Sequence, residues 1–124
     1  ELNITKSIVY AGNFKTFPII RIYGAITNPR IVHQQTGYEL SFPGVSIGSG
    51  DYYEIDTRFG YKTVKDQDGV SKIFELSNES DLTLFTIGSK PEIADGVNTF
   101  TVTGSAVDIL TTVEIVYYDR YIAI

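Results

Sequence analysis

Residues 48–69, GSGDYYEIDTRFGYKTVKDQDG, leave this chain little choice of local structure. Tyr53, Ile55 and Thr57 alternate with Tyr52, Glu54 and Asp56, and a period of two is what a strand with one face in a core requires. Arg58-Phe59-Gly60 interrupts the alternation, and residues 61–65 resume it with Val64 as the inward residue. Asp66-Gln67-Asp68-Gly69 follows, where Asx side chains bond their own backbone and the glycine accepts positive φ. The stretch is predicted to be a β-hairpin with a turn at each end. Gly60 and Gly69 are both expected to hold positive φ.

The rest of the chain carries the same signal. Apolar spacing of the i, i+3, i+4 kind is nowhere sustained beyond two helical turns. Nine Tyr and seven Phe join many Thr, Ile and Val, all strand formers, while eleven Gly and four Pro fall mostly between apolar runs. Strands are predicted over residues 4–10, 18–26, 30–34, 38–42, 70–76, 99–103 and 108–118. In the second, Ile20, Ile22 and Gly24 share one face and Ile19, Arg21 and Tyr23 the other. Asn28-Pro29 is expected to break that strand as a turn, Thr36-Gly37 to close a hairpin, and Pro43-Gly44 to end it. Residues 77–85 allow a single helical turn. Residues 108–118 are apolar on both faces and are expected to form a long central strand. About nine or ten short strands separated by turns imply an all-β, two-sheet antiparallel sandwich or jelly roll in one domain, residues 1–124.

Charge and composition exclude some functions. Ten Lys and Arg against fifteen Asp and Glu give a net charge of −5, which argues against a nucleic-acid partner. There is no apolar run of about 18 residues, so no membrane-spanning helix is expected. With no cysteine there is neither a disulfide nor a thiolate site. Glu at position 1 and the lack of Met lead to the expectation that the chain is cut from a longer protein.

Chemistry is sparse. His33 is the only histidine, so a zinc pair cannot form and a catalytic triad would depend on it; a surface or packing role is the expectation. Asp66-x-Asp68-Gly69 has the look of a calcium loop but lacks its spacing and its Glu, so a turn is expected. Asp51, Glu54 and Asp56 could be posed as a glycosidase pair, but pairing with Arg58, Lys62 or Arg120 is the simpler reading. Neither an enzyme nor a cofactor or metal site is expected. Tyr52, Tyr53, Tyr61, Tyr117, Tyr118 and Tyr121 can fill sheet faces, stack on sugars or anchor a protein. Of these, Tyr52, Tyr61 and Tyr118 are taken as the candidate binding surface.

The ordered motifs GNFKTFPIIRIYGAITNPRI, TGYELSF, GDYYEIDTRFGYKTV, DGVNTFTVTG and YYDRYIAI together resemble one family. It is the C-terminal domain of the distal tail protein of long-tailed, non-contractile phages and prophages of Gram-positive bacteria. The matching positions are Pro18, Gly24, Asn28, Pro29, Thr36, Gly37, Ile55, Asp56, Thr57, Gly60, Val64, Gly96, Asn98, Tyr117 or Tyr118, Arg120 and Tyr121. The resemblance implies a galectin-like sandwich at the virion's tail tip, projecting from a homohexameric ring built by an N-terminal domain. It implies docking of receptor-binding or other baseplate proteins during host adsorption, or contact with cell-wall carbohydrate. Asn28-Pro29-Arg30 echoes a galectin sugar site, yet Ile26 stands where that site needs His, and the stacking Trp is missing. Asp56 and Arg120, both in the matched motifs, are expected to pair between the hairpin and the last strand.

Overall fold

A computed structural model of the chain describes residues 2–78, 80–90 and 92–121. Two antiparallel sheets form it. The first holds β1 (Leu2–Val9), β8 (Val97–Ser105), β3 (Ile26–His33) and β4 (Glu39–Ser41) in that spatial order, with β5 (Ser46–Ile47) also on β3. The second runs β7 (Thr63–Asp66), β6 (Tyr52–Asp56), β2 (Ile19–Tyr23) and β9 (Thr112–Val116). The fold is an all-β sandwich, as the alternation predicted.

The inward faces meet in one core. Ile20, Ile22, Tyr53, Ile55, Val64 and Val113 from the four-stranded sheet join Ile26, Ile31, Leu40, Ile47, Phe100 and Val102 from the other. Phe42, Phe85 and Ile87 fill the space between from loops and bridges. Burying each such side chain contributes roughly 1.5–3 kcal/mol, which offsets the entropy of ordering the strands. In β2 the sequence alternates inward and outward as predicted, Ile20 and Ile22 being buried and Ile19, Arg21 and Tyr23 half-buried.

Three local expectations need correction. Asn28-Pro29 does not end a strand: β3 runs through it, and the register against β8 shifts between Thr27 and Arg30. Asn28 takes φ 55°, its N–H donates to Val45 O at 2.8 Å, and Phe42 N–H donates to Pro29 O at 2.9 Å. A bulge leaves unpaired the residue that has no N–H to give, so the proline costs the ladder nothing. The chain instead changes sheets at Gly24-Ala25, between β2 and β3. Residues 70–76 form no long strand; Ser71 bridges Lys65, and a 3-10 turn covers Ile73–Glu75. Residues 77–85 stay within the single turn expected of them, with Leu84 and Phe85 N–H both on Asp81 O at 3.0 and 2.8 Å. The last strand is β9, five residues long and at the sheet edge rather than its centre. The side chain of Asp108 takes the N–H of Leu110 at 2.9 Å, so the segment before β9 turns instead of extending.

Candidate functional site

The register of the four-stranded sheet decides which side chains meet on its outer face. Tyr23 stands between Thr112 and Tyr52; Arg21 stands between Glu114 and Glu54, with Lys65 beyond; Ile19 stands between Val116 and Asp56. Cross-strand neighbours on one face interact, and here they do so by design of sequence. The Arg21 Nε donates to Glu54 Oε2 at 2.8 Å, and its guanidinium lies 4.6 Å from the Tyr52 ring centroid. Tyr23 and Tyr52 pack with centroids 5.3 Å apart and ring planes tilted by 50°. Tyr52 is thus half-buried and held by neighbours on both sides.

One row further on, past the ends of β2, β6 and β9, Phe17, Arg58 and Tyr118 continue the same outward parity. With Thr16, Phe59 and Arg120 they line an open cleft of about 240 Å³. Four cations lie over aromatic rings here: Arg58 at 4.2 Å from Tyr61, Lys62 at 4.3 Å and Lys15 at 6.0 Å from Phe17, and Arg120 at 4.9 Å from Phe14. Such stacking fixes rings and charges together at a surface. Phe59 is 87% exposed, Tyr118 73%, Tyr121 65% and Tyr61 58%. Large apolar side chains left in water beside charged groups make this end of the sheet the candidate interaction surface.

The expected Asp56–Arg120 pair is not formed. Asp56 is held by Arg58, whose Nε and Nη2 donate to its two carboxyl oxygens at 2.9 and 2.7 Å, with the Arg58 backbone N–H adding a bond at 3.1 Å. Burial raises the Asp56 carboxyl, but those bonds outweigh it and hold it below its ordinary value. A cation two residues away on the same chain needs no long-range closure, so it wins the carboxylate. Arg120 instead donates from Nη1 to Lys15 O at 3.3 Å, and its backbone N–H bonds the Tyr10 hydroxyl at 2.8 Å. Both motif residues still reach the same end of the sheet. Gly60 and Gly69 have φ 87° and 78°, as expected, and Gly60 sits in the turn that presents Phe59 and Tyr61. Asp66 Oδ1 accepts from the N–H groups of Asp68 and Val70, both at 2.9 Å, so this acidic turn is an Asx turn.

Asn28 and Pro29 line a larger groove, about 600 Å³, with Arg30, Glu39, Ser41, Phe42, Pro43 and Ser77. Asn28 Oδ1 accepts from Gly44 N–H at 2.6 Å, which ties it to the loop it caps. Arg30 grips Glu39 with two bonds, at 3.0 and 3.1 Å, and these hold the Glu39 carboxyl below its usual range. The galectin-like triplet is therefore engaged in shaping its own strand.

His33 lies in the core between Phe100, 4.9 Å away by ring centroids, and Phe85 at 6.3 Å. Its Nε2 meets Asn98 Oδ1 at 2.8 Å and its Nδ1 meets the Thr36 hydroxyl at 2.7 Å. Asn98 also accepts from Gly88 N–H at 2.8 Å and donates to Gly88 O and Gly96 O at 2.9 and 3.1 Å. Its oxygen is thereby identified, so Nε2 carries the proton and Nδ1 accepts from Thr36. Burial pushes the imidazole below its ordinary pKa despite the Asn98 bond. Of the two expected roles for His33, surface or packing, this environment is the packing one.

The sequence reading missed Phe14, Phe17 and Phe59 as surface groups. One signal was available: a phenylalanine between arginine and glycine at a hairpin turn has no core to enter. No protein-family model matches the chain, nor does any curated protein or solved structure.

Proposed function

We propose that this domain is a docking module of a phage tail, an outward-facing part of the distal hub that holds receptor-binding or other tail proteins during host adsorption. The observation that carries the reading is the cleft, where Phe59 and Tyr118 stand exposed beside Arg58 and Arg120, with the exposed Tyr61 ring against Arg58 next to it. Tyrosine and arginine are the residue types that anchor protein interfaces, because each joins a broad stacking surface to a hydrogen-bonding tip. The phage-tail part of the proposal rests on the ordered sequence motifs. Its place would be the tail tip of the virion.

A second reading, contact with host cell-wall polysaccharide, has one observation in its favour. A shallow site of about 170 Å³ is lined by Tyr52, Arg21, Glu54, Lys65, Asp66 and Gln67, an aromatic ring among convergent polar groups. Immobilised domain offered purified tail proteins of the same phage, and separately purified host wall, divides the two. The docking reading expects capture of a tail protein, weakened roughly tenfold or more by Phe59→Ala with Tyr118→Ala. Wall retention competed by free sugar, and abolished by Tyr52→Ala, would replace it.

A further inference from the structure

The two edges of the four-stranded sheet are finished differently. At β7 the chain folds back: Asp66 N–H donates to Val70 O at 3.0 Å and Lys72 N–H to Val64 O at 2.8 Å, so that edge is covered. At β9 no strand follows among the described residues. The register shows which groups this leaves open. Gly24 N–H and Pro18 O both bond toward β6, so the even residues of β2 face β6 and Ile19, Arg21 and Tyr23 face β9. Their partners Thr112, Glu114 and Val116 are then the bonded ones, and Val113 and Ile115 turn their backbone groups to the free edge. The bond from Lys6 Nζ of β1 to Val113 O is consistent with that assignment, since a side chain rather than β2 takes this carbonyl. An inward-reaching lysine is a known way to keep an open edge from pairing indiscriminately.

We propose that the free edge of β9 receives an extended segment of a polypeptide partner as a fifth strand, with a lysine or arginine facing Glu114 and an apolar residue facing Val116. The charge order of the outer face specifies this occupant. Across the sheet it runs Lys65, Glu54, Arg21, Glu114, alternating in sign at each strand, and a cation is what continues it. The same order disfavours a second copy: two β9 strands paired antiparallel about Glu114 would set that carboxylate against itself. Beyond Val116 the added strand would run beside Tyr118 and Arg120, so edge and cleft form one continuous surface. Strand addition supplies affinity through main-chain bonds, while the alternate side chains supply selection. The proposal rests on the docking reading for there being a polypeptide partner, and adds to it the mode and chemistry of binding.

A fluorescent short peptide of alternating threonine and valine with one central lysine, and its twin with glutamate there, would be titrated against the domain. The lysine peptide should bind several-fold tighter, the preference should reverse in Glu114→Lys, and Lys6→Ala should tighten both. Amide exchange at Val113 and Ile115 should slow in the complex. Equal binding of the two peptides, or slowing confined to residues outside β9, would overturn the strand-addition proposal. A tail protein captured through Phe59 and Tyr118 without slowing at Val113 and Ile115 would also overturn it, while leaving the docking reading standing. Specific capture of the lysine peptide at β9, with no tail protein bound, would do the reverse.

Discussion

His33 and Phe59 occupy opposite extremes of one molecule. Around His33 every polar atom has its partner: the imidazole spans Thr36 and Asn98, and Asn98 in turn ties down Gly88 and Gly96. Around Phe59 the chain spends charged groups on covering ring faces and still leaves the phenylalanine in water. The first arrangement is what a buried polar group requires in order not to destabilise the fold. The second leaves the Phe59 ring in water, where it brings the fold little burial energy. The difference separates residues the sandwich needs from residues it displays, and mutation can test where the line falls.

The largest effect should come from the interior. Asn98→Ala strips His33 Nε2, Gly88 N–H and two carbonyls of their partner at once, and should cost about 3 kcal/mol or more in a urea titration. A loss below about 1 kcal/mol would mean that the node is not essential to the fold. Next is the turn that carries the display. At Gly60, with φ 87°, an added Cβ would meet nothing within 4 Å, so Gly60→Val suffers only backbone strain, about 1–2 kcal/mol. Gly60→Asn should recover much of that, and equal loss from both would point to a steric cause instead.

The third test uses protons. His33 has a folded pKa below its unfolded value, so the native state binds fewer protons than the unfolded chain in the window beneath about 6.5. Stability is therefore fully present above that value and falls as pH drops, with a limiting slope of about 1.4 kcal/mol per unit. His33→Gln should flatten the melting temperature between about pH 7 and 5, whereas an unchanged slope would assign the acid sensitivity elsewhere. Asp56, held below its ordinary value, adds a loss of the same sign only at lower pH, when its carboxyl is protonated. The smallest stability effect belongs to the displayed side. Phe59→Ala with Tyr118→Ala should move the unfolding midpoint by no more than about 0.5 kcal/mol, and a larger shift would move these rings to the structural side of the comparison.

Sequence made the interior legible and the surface partly so. Alternation placed Ile20, Ile22, Ile55 and Val64 inward because one face of a strand must be apolar, whatever the topology. Turn chemistry placed positive φ at Gly60 and Gly69 because the cause is local. Non-local partners were the failures. Asn28-Pro29 reads as a break until Val45, Gly44 and Phe42 are seen to satisfy the bulge around it. Tyr118 and Val116 made residues 108–118 look buried on both sides, whereas they are exposed beside an open edge. Asp56 and Arg120 were correctly brought to one end but wrongly joined, since Arg58 is nearer along the chain. That Asn98 completes His33 from 65 residues away left no trace in the sequence pattern.

The central claim is that the cleft end of the four-stranded sheet is a protein-docking surface. Amide hydrogen exchange of the domain, alone and mixed with the purified tail proteins of the capture experiment, addresses it directly. The account predicts slowed exchange in residues 14–20, 56–62 and 112–121, with the His33–Asn98 region unchanged. Slowing confined to the groove around Arg30 and Glu39, or to the site around Tyr52, would contradict it.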